Sequence, residues 1–333
     1  MIKIFSPTRD KVVTGNYVTA KRYAYHLQNL GHKVFTCNGF EEKVNGEGVR
    51  CAFVLHAEKG FPVVKELAAK NIPVVLVLTG TDLYKDVIST KKSKRDNCLR
   101  SIQIASAIVV LHENAASDLL KVVSIPRDRI FVVLQSVVDF KKRTFFFKKK
   151  NYYKILMLSN IREEKGIIVA ISGFLEFLKN IDARTKFTLD HIGGVLDQDY
   201  FKKITNLLEG VKSVSFLGSI EKGKLQTMLA SYDLLLHSSF IEGGSLVIQE
   251  AQNAGLPIIA SDISCHTALL GSTYVGLHSV GAAKDVSEKL HAFFFNELCR
   301  KQMEIQLSSC PAAGSTLKKE QEELRRVLSY LQV

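Results

Sequence analysis

Residues 234–261, LLLHSSFIEGGSLVIQEAQNAGLPIIAS, contain the pattern that decides the fold. The short apolar run Leu234–His237 predicts a strand. Ser245–Ala254 predicts a helix that ends at Gly255, because glycine readily adopts the left-handed conformation that follows a helix. Pro257 then opens a second apolar run. A strand, a helix and another strand in this order predict a βαβ unit with parallel strands.

The same alternation of apolar runs and amphipathic segments fills the second half of the chain. Short runs rich in Val, Ile and Leu predict strands, and segments with helical spacing of apolar residues predict helices. The predicted strands are Tyr153–Leu158, Thr185–Ile192 and Val214–Phe216, and the predicted helices are Gly166–Asn180, Asp199–Leu208 and Glu221–Ala230.

The first half repeats this organisation. Its predicted helix Tyr17–Leu30 places apolar residues on one face and ends before Gly31. The predicted strands are almost entirely apolar, which is typical of a parallel sheet covered by helices on both faces. They are Ile2–Phe5, Lys33–Cys37, Ala52–Leu55, Pro73–Leu78, Ala107–Leu111 and Ile130–Leu134.

The two halves are separated by the basic and aromatic stretch DFKKRTFFFKKK at residues 139–150, which has no clear period. We therefore predict an α/β protein of two Rossmann-like domains whose parallel sheets face each other across a cleft. The predicted boundaries are an N-terminal domain at 1–138, a linker at 139–151, a second domain at 152–312 and a C-terminal helix at 313–333 that packs back on the body. Ligands of open parallel sheets bind beyond the carboxyl ends of the strands, so we expect the chemistry in the cleft.

The composition favours anionic binding partners but does not identify which kind. Among the 333 residues, 45 Lys and Arg outnumber 33 Asp and Glu, and the formal charge of +12 favours anionic partners. The six cysteines show no metal-binding spacing and suit reduced thiols. Since the sequence contains no apolar run of membrane-spanning length and no secretory signal, we expect a cytoplasmic protein without stable membrane insertion.

Several common motifs are absent from the sequence. There is no GxGxxG after the first strand, no GxxxxGK[ST] and no GxSxG, which argues against dinucleotide-binding, P-loop and serine-hydrolase enzymes. Asp197-Gln198-Asp199 has the DxD pattern of metal-dependent sugar transferases. It precedes a predicted helix, where a carboxylate caps free N–H groups, so we interpret it as a cap and predict no metal site and no cofactor.

The loop and helix at residues 242–250 suggest a site for a nucleotide sugar. Glu242 and Glu250 are separated by seven residues, and Gly243 and Gly244 allow close approach of a ligand to the backbone. The N–H groups of the following helix terminus bind phosphate. The two carboxylates could accept hydrogen bonds from hydroxyls on either side of the phosphates. A nucleotide sugar has this structure, since its diphosphate lies between two polyols.

A pair of cations at the junction of a strand and a helix suits the same ligand. Arg162 and Lys165 lie three residues apart in the sequence SNIREEKG, residues 159–166. Such cations neutralise a diphosphate as it leaves. A solvated basic loop and a plain Gly-Gly turn are the alternative interpretations of these two motifs.

The E-x7-E element, the R-x2-K-G loop and the two-domain plan resemble the family-4 retaining glycosyltransferases of the GT-B fold. The resemblance implies metal-independent binding of a nucleotide sugar by the C-terminal domain, with Arg162 and Lys165 on the diphosphate. It also implies sugar contacts by Glu242 and ribose contacts by Glu250. The remaining donor residues that it implies are Gly243, Gly244, Ser245, Leu246 and Val247 for the sugar, and Gly218 and Ser219 for the base.

Further elements, ordered between about Gly15 and Leu290, resemble the selenosugar synthases of selenoneine biosynthesis. They include GNYVTAKR at 15–22, LHAEK at 55–59, LTGTDLY at 78–84 and HIGG at 191–194. This resemblance implies that selenophosphate attacks the anomeric carbon of UDP-N-acetylglucosamine or UDP-glucose. UDP and phosphate would be released, and a 1-selenosugar would form.

Polar residues at the predicted strand ends of the first half fit an anionic acceptor, because phosphoryl oxygens bind cations and hydroxyl or amide donors. We predict catalytic roles for Thr19, Arg22, His56 and Asp82. Alternatives stay open: Arg22 paired with a helix carboxylate, His56 as a buried core histidine, and Asp82 as a helix cap. The residues predicted to bind the acceptor phosphate are Arg9, Lys11, Asn16, Lys59, Thr79 and Thr81.

The sequence admits two other functions. One is a family-4 glycosyltransferase with a lipid or saccharide acceptor, for which FFFKKK at 145–150 would be an interfacial anchor. The other is nucleic-acid binding, which the absence of a known motif and the scattered basic residues disfavour. We expect small-molecule substrates and no nucleic-acid partner. The sequence leaves open the hexose, the anomer formed and the oligomeric state.

Overall fold

The computed structural model describes residues 1–8, 14–40, 46–137, 150–182, 184–310 and 316–333. They form two compact units. The first unit comprises Met1–Ser136, Glu242–Gly244 and Ser315–Val333, and the second comprises Val137–Ile241 and Ser245–Gly314. Arg9, Lys11 and residues 139–149 of the predicted linker lie outside the described residues.

The first unit contains a six-stranded sheet in the order β2-β1-β3-β4-β5-β6, and every pair of neighbouring strands is parallel. A π-helix at Asp82–Asp86 and a 3-10 helix at Arg127–Arg129 accompany it. Its elements are β1 Ile2–Ser6, α1 Gly15–Asn29, β2 Val34–Asn38, β3 Cys51–Leu55, α2 Ala57–Ala69, β4 Val74–Val77, α3 Lys92–Ile104, β5 Ala107–Val110, α4 Glu113–Val122 and β6 Ile130–Val132.

Alternate residues of each strand contribute to two separate apolar clusters in this unit. Val54 of β3 and Leu76 of β4 belong to one cluster, whereas Phe53 and Val75 belong to the other. Since successive side chains of a strand point to opposite faces, both faces of the sheet are covered. This burial on both faces explains why the strands are almost entirely apolar.

The second unit contains another six-stranded sheet, in the order β12-β11-β10-β7-β8-β9, again with parallel neighbours. A 3-10 helix at Glu163–Lys165 follows its first strand. Its elements are β7 Tyr152–Leu158, α5 Ile167–Lys179, β8 Lys186–Ile192, α6 Gln198–Leu207, β9 Val214–Phe216, α7 Lys222–Leu229, β10 Leu234–His237, α8 Leu246–Ala254, β11 Ile258–Ser261, α9 Ser264–Leu270, β12 Leu277–His278, α10 Ala283–Phe295 and α11 Glu297–Ser308.

The last helix, α12 (Leu317–Tyr330), belongs to the first unit although it follows the second in sequence. Leu324, Val327 and Leu328 of this helix are buried in the apolar cluster that contains Tyr23 and Leu27 of α1. The last helix therefore packs against α1 within the first unit.

Two parallel sheets built from alternating strands and helices confirm the predicted α/β class. Most predicted elements begin or end within two residues of the observed ones. For example, α8 begins at Leu246, because Ser245 is its N-cap residue. The DxD motif is a cap as predicted: the carboxylate of Asp197 accepts a hydrogen bond from the N–H of Tyr200 at 2.9 Å and begins α6.

Candidate active site

The order of strands in the second unit reverses between β7 and β10, which are neighbours in the sheet but not in the sequence. Open α/β sheets bind ligands outside the carboxyl ends of the strands at such a switch point. The loop after β7 contains Arg162 and Lys165, and the loop after β10 begins at Ser238. The sheet topology therefore places both predicted cations at the switch point of this unit.

Hydrogen bonds fix the loop after β7 to neighbouring loops. The N–H of Ile161 donates to the carbonyl of Gly194 at 2.8 Å, and the N–H of Gly194 donates to Asn160 Oδ1 at 3.1 Å. The N–H of Phe240 donates to the carbonyl of Glu164 at 2.8 Å. The backbone around the two cations is thus held from both sides.

Gly166 permits this arrangement, since it has φ of +60° and lies against the carbonyl of Ser238. A Cβ atom at position 166 would lie 1.9 Å from that oxygen. Residues with a side chain are excluded both by the left-handed conformation and by this contact.

Arg162 precedes the 3-10 helix and Lys165 is its last residue, and both are half-buried. The Nε atom of Arg162 is buried and has no hydrogen-bond partner among the described residues. An unsatisfied buried donor is costly, and a phosphate oxygen is a suitable acceptor for a guanidinium group. The loop can therefore bind an anion at the end of β7.

The start of α8 presents backbone N–H groups at the same edge of the sheet. Ser245 is buried, makes no side-chain cap, and has its Oγ 3.4 Å from Nε2 of His237. Leu246 and Val247 are half-buried, and Glu250 is 9% exposed. Glu250 thus lies one turn inside the helix in a largely desolvated position.

The other predicted donor residues are placed as follows. Gly218 and Ser219 are exposed after β9, and the carbonyl of Gly218 accepts a hydrogen bond from the N–H of Gly193 at 2.9 Å. Glu242, Gly243 and Gly244 are grouped with the first unit. No observation tests the roles of these residues, which stay predictions.

In the first unit, the loop after β4 is organised by Asp82, which is fully buried. Its carboxylate accepts hydrogen bonds from four backbone N–H groups, at distances between 2.9 and 3.1 Å. These donors belong to Ala57, Thr79, Gly80 and Leu83. Asp82 therefore joins this loop to the first turn of α2, and its predicted catalytic role stays untested.

His56 is the N-cap residue of α2 and is 3% exposed. Its Nδ1 accepts a hydrogen bond from the N–H of Lys59 at 3.4 Å, so the ring hydrogen lies on Nε2. Nε2 is 3.1 Å from Thr81 Oγ1 and 3.7 Å from a carboxylate oxygen of Asp86. We conclude that His56 orients the hydroxyl of Thr81, which is a half-buried residue predicted to bind the acceptor.

His56, Glu58 and Asp86 offer ligand atoms that lie within 4.8 Å of one another, which is a spacing that could suit a metal ion. The hydrogen-bond pattern does not fit one. With the ring hydrogen on Nε2, the nitrogen facing Asp86 has no lone pair for a metal. Lys94 also places its ammonium 3.9 Å from Asp86.

Thr19 and Arg22 are held inside the first unit by other residues. Thr19 Oγ1 donates to the carbonyl of Gly15 at 2.9 Å and accepts from Gln135 Nε2 at 2.7 Å. Arg22 forms an ion pair with the buried carboxylate of Glu320 in α12. The alternative that Arg22 pairs with a helix carboxylate is thus what the structure shows. Asn16 is half-buried and Lys59 is exposed.

Sequence reasoning missed three groups of this unit. Asp86 faces His56, and Glu320 faces Arg22. Tyr84 bridges His112 and Asp118: its hydroxyl is 3.2 Å from His112 Nε2 and donates to Asp118 at 3.0 Å. Burial lowers the pKa of His112 to about 4. A signal for His112 was its position between a strand and a helix, where polar residues act as caps.

Residues 139–306 match the model of the family described as glycosyl transferases group 1. The chain belongs to this family. The match covers half of the chain and includes the switch-point loops of the second unit. Among the described residues, no helix is long and apolar enough to cross a membrane.

Two curated relatives are similar to this glycosyltransferase. Glycosyltransferase 1 domain-containing protein 1 of Xenopus tropicalis is 23% identical over 286 residues, which cover 79% of each chain. N-acetyl-alpha-D-glucosaminyl L-malate synthase of Bacillus anthracis is 24% identical over 231 residues. That alignment covers 63% of this chain and 56% of the synthase.

Solved structures share the GT-B fold with this glycosyltransferase. Anabaena HepE, solved in complex with UDP and glucose, superposes with a TM-score of 0.73 and 14% identity. The match covers 98% of this chain and 99% of that chain. Sucrose-phosphate synthase of Thermosynechococcus elongatus gives a TM-score of 0.74 with 12% identity and covers 99% of this chain and 98% of its own. The predicted GT-B fold is confirmed.

Proposed function

We propose that this glycosyltransferase transfers a hexosyl group from a UDP-sugar to selenophosphate. The observation that carries the donor half is the buried Nε of Arg162 at the switch point, beside Lys165 in a loop fixed by Gly166. Two cations held there suit a departing diphosphate. HepE, which has the same fold, was solved with UDP and glucose bound.

The acceptor half rests on the resemblance to selenosugar synthases and on the loops that its motifs form. LTGTDLY builds the loop organised by Asp82, which positions Thr79 and Thr81, and GNYVTAKR begins α1. The hydroxyls of these two threonines are suitable donors to phosphoryl oxygens.

The reaction that we propose balances as follows. The selenium of selenophosphate attacks the anomeric carbon and forms a C–Se bond, while the C–O bond to UDP breaks and UDP leaves with the electron pair. Water then cleaves the Se–P bond, which releases phosphate and gives the selenol of the sugar. Arg162 and Lys165 stabilise the charge that develops on UDP, and no metal ion is required.

A second acceptor is favoured by one of the relatives. The Bacillus anthracis protein is named N-acetyl-alpha-D-glucosaminyl L-malate synthase. Its name indicates that the acceptor is L-malate, a small anionic hydroxy acid. Selenophosphate and L-malate are both small anions, so the same donors in the first unit suit either. A lipid or saccharide acceptor is the alternative if neither small anion reacts.

The test is a mass-spectrometric assay of the purified protein with UDP-N-acetylglucosamine or UDP-glucose. Each donor is incubated alone, with freshly made selenophosphate, and with L-malate. We expect UDP release that depends on selenophosphate and a product with the isotope pattern of selenium. A product with L-malate alone would replace selenophosphate as the acceptor, and no product with either would reject a small anionic acceptor.

A donor variant tests the nucleotide assignment separately. Glu250→Gln keeps the size of a nearly buried side chain but removes its charge. We therefore expect the affinity for UDP, measured by calorimetry, to fall about tenfold. The control is Glu288→Gln on α10, where the side chain is exposed. Equal UDP affinity in the two variants would reject the ribose role of Glu250.

A further inference from the structure

Glu320, in the first turn of α12, is a buried carboxylate that collects donors from distant parts of the first unit. It is 1% exposed and accepts five hydrogen bonds. The donors are Nε and Nη2 of Arg22, Nε2 of His26 at 3.1 Å, and the N–H and Oγ of Ser136 at 2.9 and 2.6 Å. Four of these donors converge on Oε2, and Nε of Arg22 donates to Oε1.

These partners keep Glu320 ionised. Burial by itself raises the pKa of this carboxyl, but hydrogen bonds from His26 and Ser136 and the charge of Arg22 outweigh burial and lower the pKa below 4.5. Arg22 is therefore matched by a full negative charge.

The segment that contains Ser136 contacts α1 at two successive turns. Gln135 Nε2 donates to Thr19 Oγ1 at 2.7 Å, and Arg22 Nη2 donates to Ser136 Oγ at 2.9 Å. Both contacts lie in the half of α1 that begins at Gly15, and the adjoining Thr14 hydroxyl caps this helix end. The N-terminal half of α1 is thus fixed through the Glu320 network.

We propose that Glu320 is a positioning residue for the acceptor site. It acts through Arg22 and Ser136 to hold the N-terminal half of α1, so that the C-terminal helix contributes to the site that Asn16 and the first turn of α1 help to form. This proposal rests on the acceptor assignment given above.

Docking of the helix alone does not explain a carboxylate at this position. Leu324, Val327 and Leu328 already anchor α12 in the apolar cluster. Apolar residues that replace a buried ion pair often stabilise a protein as well as the pair does or better. The network gives something that apolar packing lacks, which is a fixed direction for the Arg22 guanidinium and for the backbone of Ser136.

The experiment compares Glu320→Gln with Glu323→Gln. Glu323 lies on the same helix, is 34% exposed at its side chain and bonds Arg326 at 3.0 Å, so its variant removes a charge from α12 without touching the network. Selenophosphate is varied at saturating UDP-sugar, and the UDP-sugar is varied at saturating selenophosphate. L-malate replaces selenophosphate if it is the acceptor that reacts.

We expect Glu320→Gln to raise the KM of the acceptor about tenfold, because a small misplacement of a binding group is costly. The KM of the UDP-sugar should stay within about twofold, since Arg162 and Lys165 belong to the second unit. Glu323→Gln should match the wild type in both. A lower melting temperature of Glu320→Gln with an unchanged acceptor KM would reject the proposal and leave a structural role.

A second set of variants separates positioning from folding. In Arg22→Met/Glu320→Met, two apolar side chains replace the ion pair, a replacement that is often neutral or stabilising, and the melting temperature of the double variant checks that it folds. Effects of the two substitutions on the acceptor KM that combine to less than their product support action through Arg22, whereas independent, multiplying effects contradict it.

Hydrogen exchange makes the test independent of the acceptor. In Glu320→Gln, amides of residues 14–29 should exchange faster, while those of residues 159–166 should not change. If no acceptor gives turnover, the proposed function fails, but faster exchange in α1 with none at residues 159–166 still supports the network, and unchanged exchange in α1 rejects it.

Discussion

The carbonyl oxygen of Ser238 lies only 1.9 Å from the position that a Cβ atom of residue 166 would take. Gly166 therefore does more than end a turn, because it lets the loop with Arg162 and Lys165 contact the loop after β10. The R-x2-K-G pattern combines two cations with the residue that allows their loop to reach the switch point.

Gly166→Ala should disrupt the donor site. The substitution places a side chain at φ of +60°, which costs about 1 kcal/mol, and adds the clash with Ser238. We expect UDP affinity, measured by calorimetry, to fall about tenfold or more, with a lower melting temperature. Gly223→Ala is the control, since that helical glycine has open space around its Cβ position. Normal UDP binding by Gly166→Ala would show that the loop can form without this close contact.

Asp82→Asn should mainly lower stability. The carboxylate accepts from four backbone N–H groups, and an amide can satisfy only some of them while directing its own N–H groups at the rest. We expect urea unfolding to show a loss of about 3 kcal/mol. Asp128→Asn, at an exposed position, should change stability little. A variant as stable as the wild type but without turnover would instead assign Asp82 the catalytic role predicted from the sequence.

The free energy of unfolding should depend on His112 at mildly acidic pH. Burial lowers the pKa of His112 from 6.5 to about 4 in the folded protein. Between these values the unfolded chain binds a proton that the folded protein does not, so stability falls as pH decreases from 6.5 towards 4. The contribution of this one group reaches about 3 kcal/mol at the lower end.

His112→Asn is the variant that checks this pH dependence, because asparagine also caps helices. We expect its urea-unfolding free energy to decrease less between pH 6.5 and 4.5 than that of the wild type. His291→Asn, on the exposed side of α10, controls for the loss of an imidazole. Parallel pH curves for His112→Asn and wild type would contradict the buried, uncharged state of His112.

The fold was predictable because its signals are local. Apolar runs such as Val74–Val77, and a helix that ends at Gly255 before Pro257, mark alternating strands and helices wherever they occur. The two loops of the switch point are likewise marked locally, by their glycines and cations.

The acceptor side was less predictable, because its contacts join residues that are far apart in the sequence. Nothing near Arg22 indicates that its partner is Glu320, 298 positions later, or that Glu320 also contacts Ser136. Asp82 looked like a possible catalytic carboxylate because its type and position fit one. Only the structure shows that its carboxylate already accepts hydrogen bonds from four backbone N–H groups.

Lys165→Ala should lower turnover far more than stability. Lys165 is half-buried at the end of a 3-10 helix in the loop that Gly166 fixes, so removal of its charge leaves the departing diphosphate less stabilised. Loss of one group that stabilises developing charge lowers kcat by about 100-fold. The free energy of unfolding should change by no more than about 0.5 kcal/mol, as for most substitutions away from the core.

Two further variants complete the measurement on Lys165. Lys165→Arg keeps the cation and should recover part of the turnover, and Lys179→Ala, at the exposed end of α5, should behave as wild type. Initial rates of UDP release at saturating donor, followed together with melting temperatures, give both quantities for each variant. If Lys165→Ala retained the turnover of Lys179→Ala, the diphosphate would be stabilised by Arg162 and the N-terminus of α8 alone.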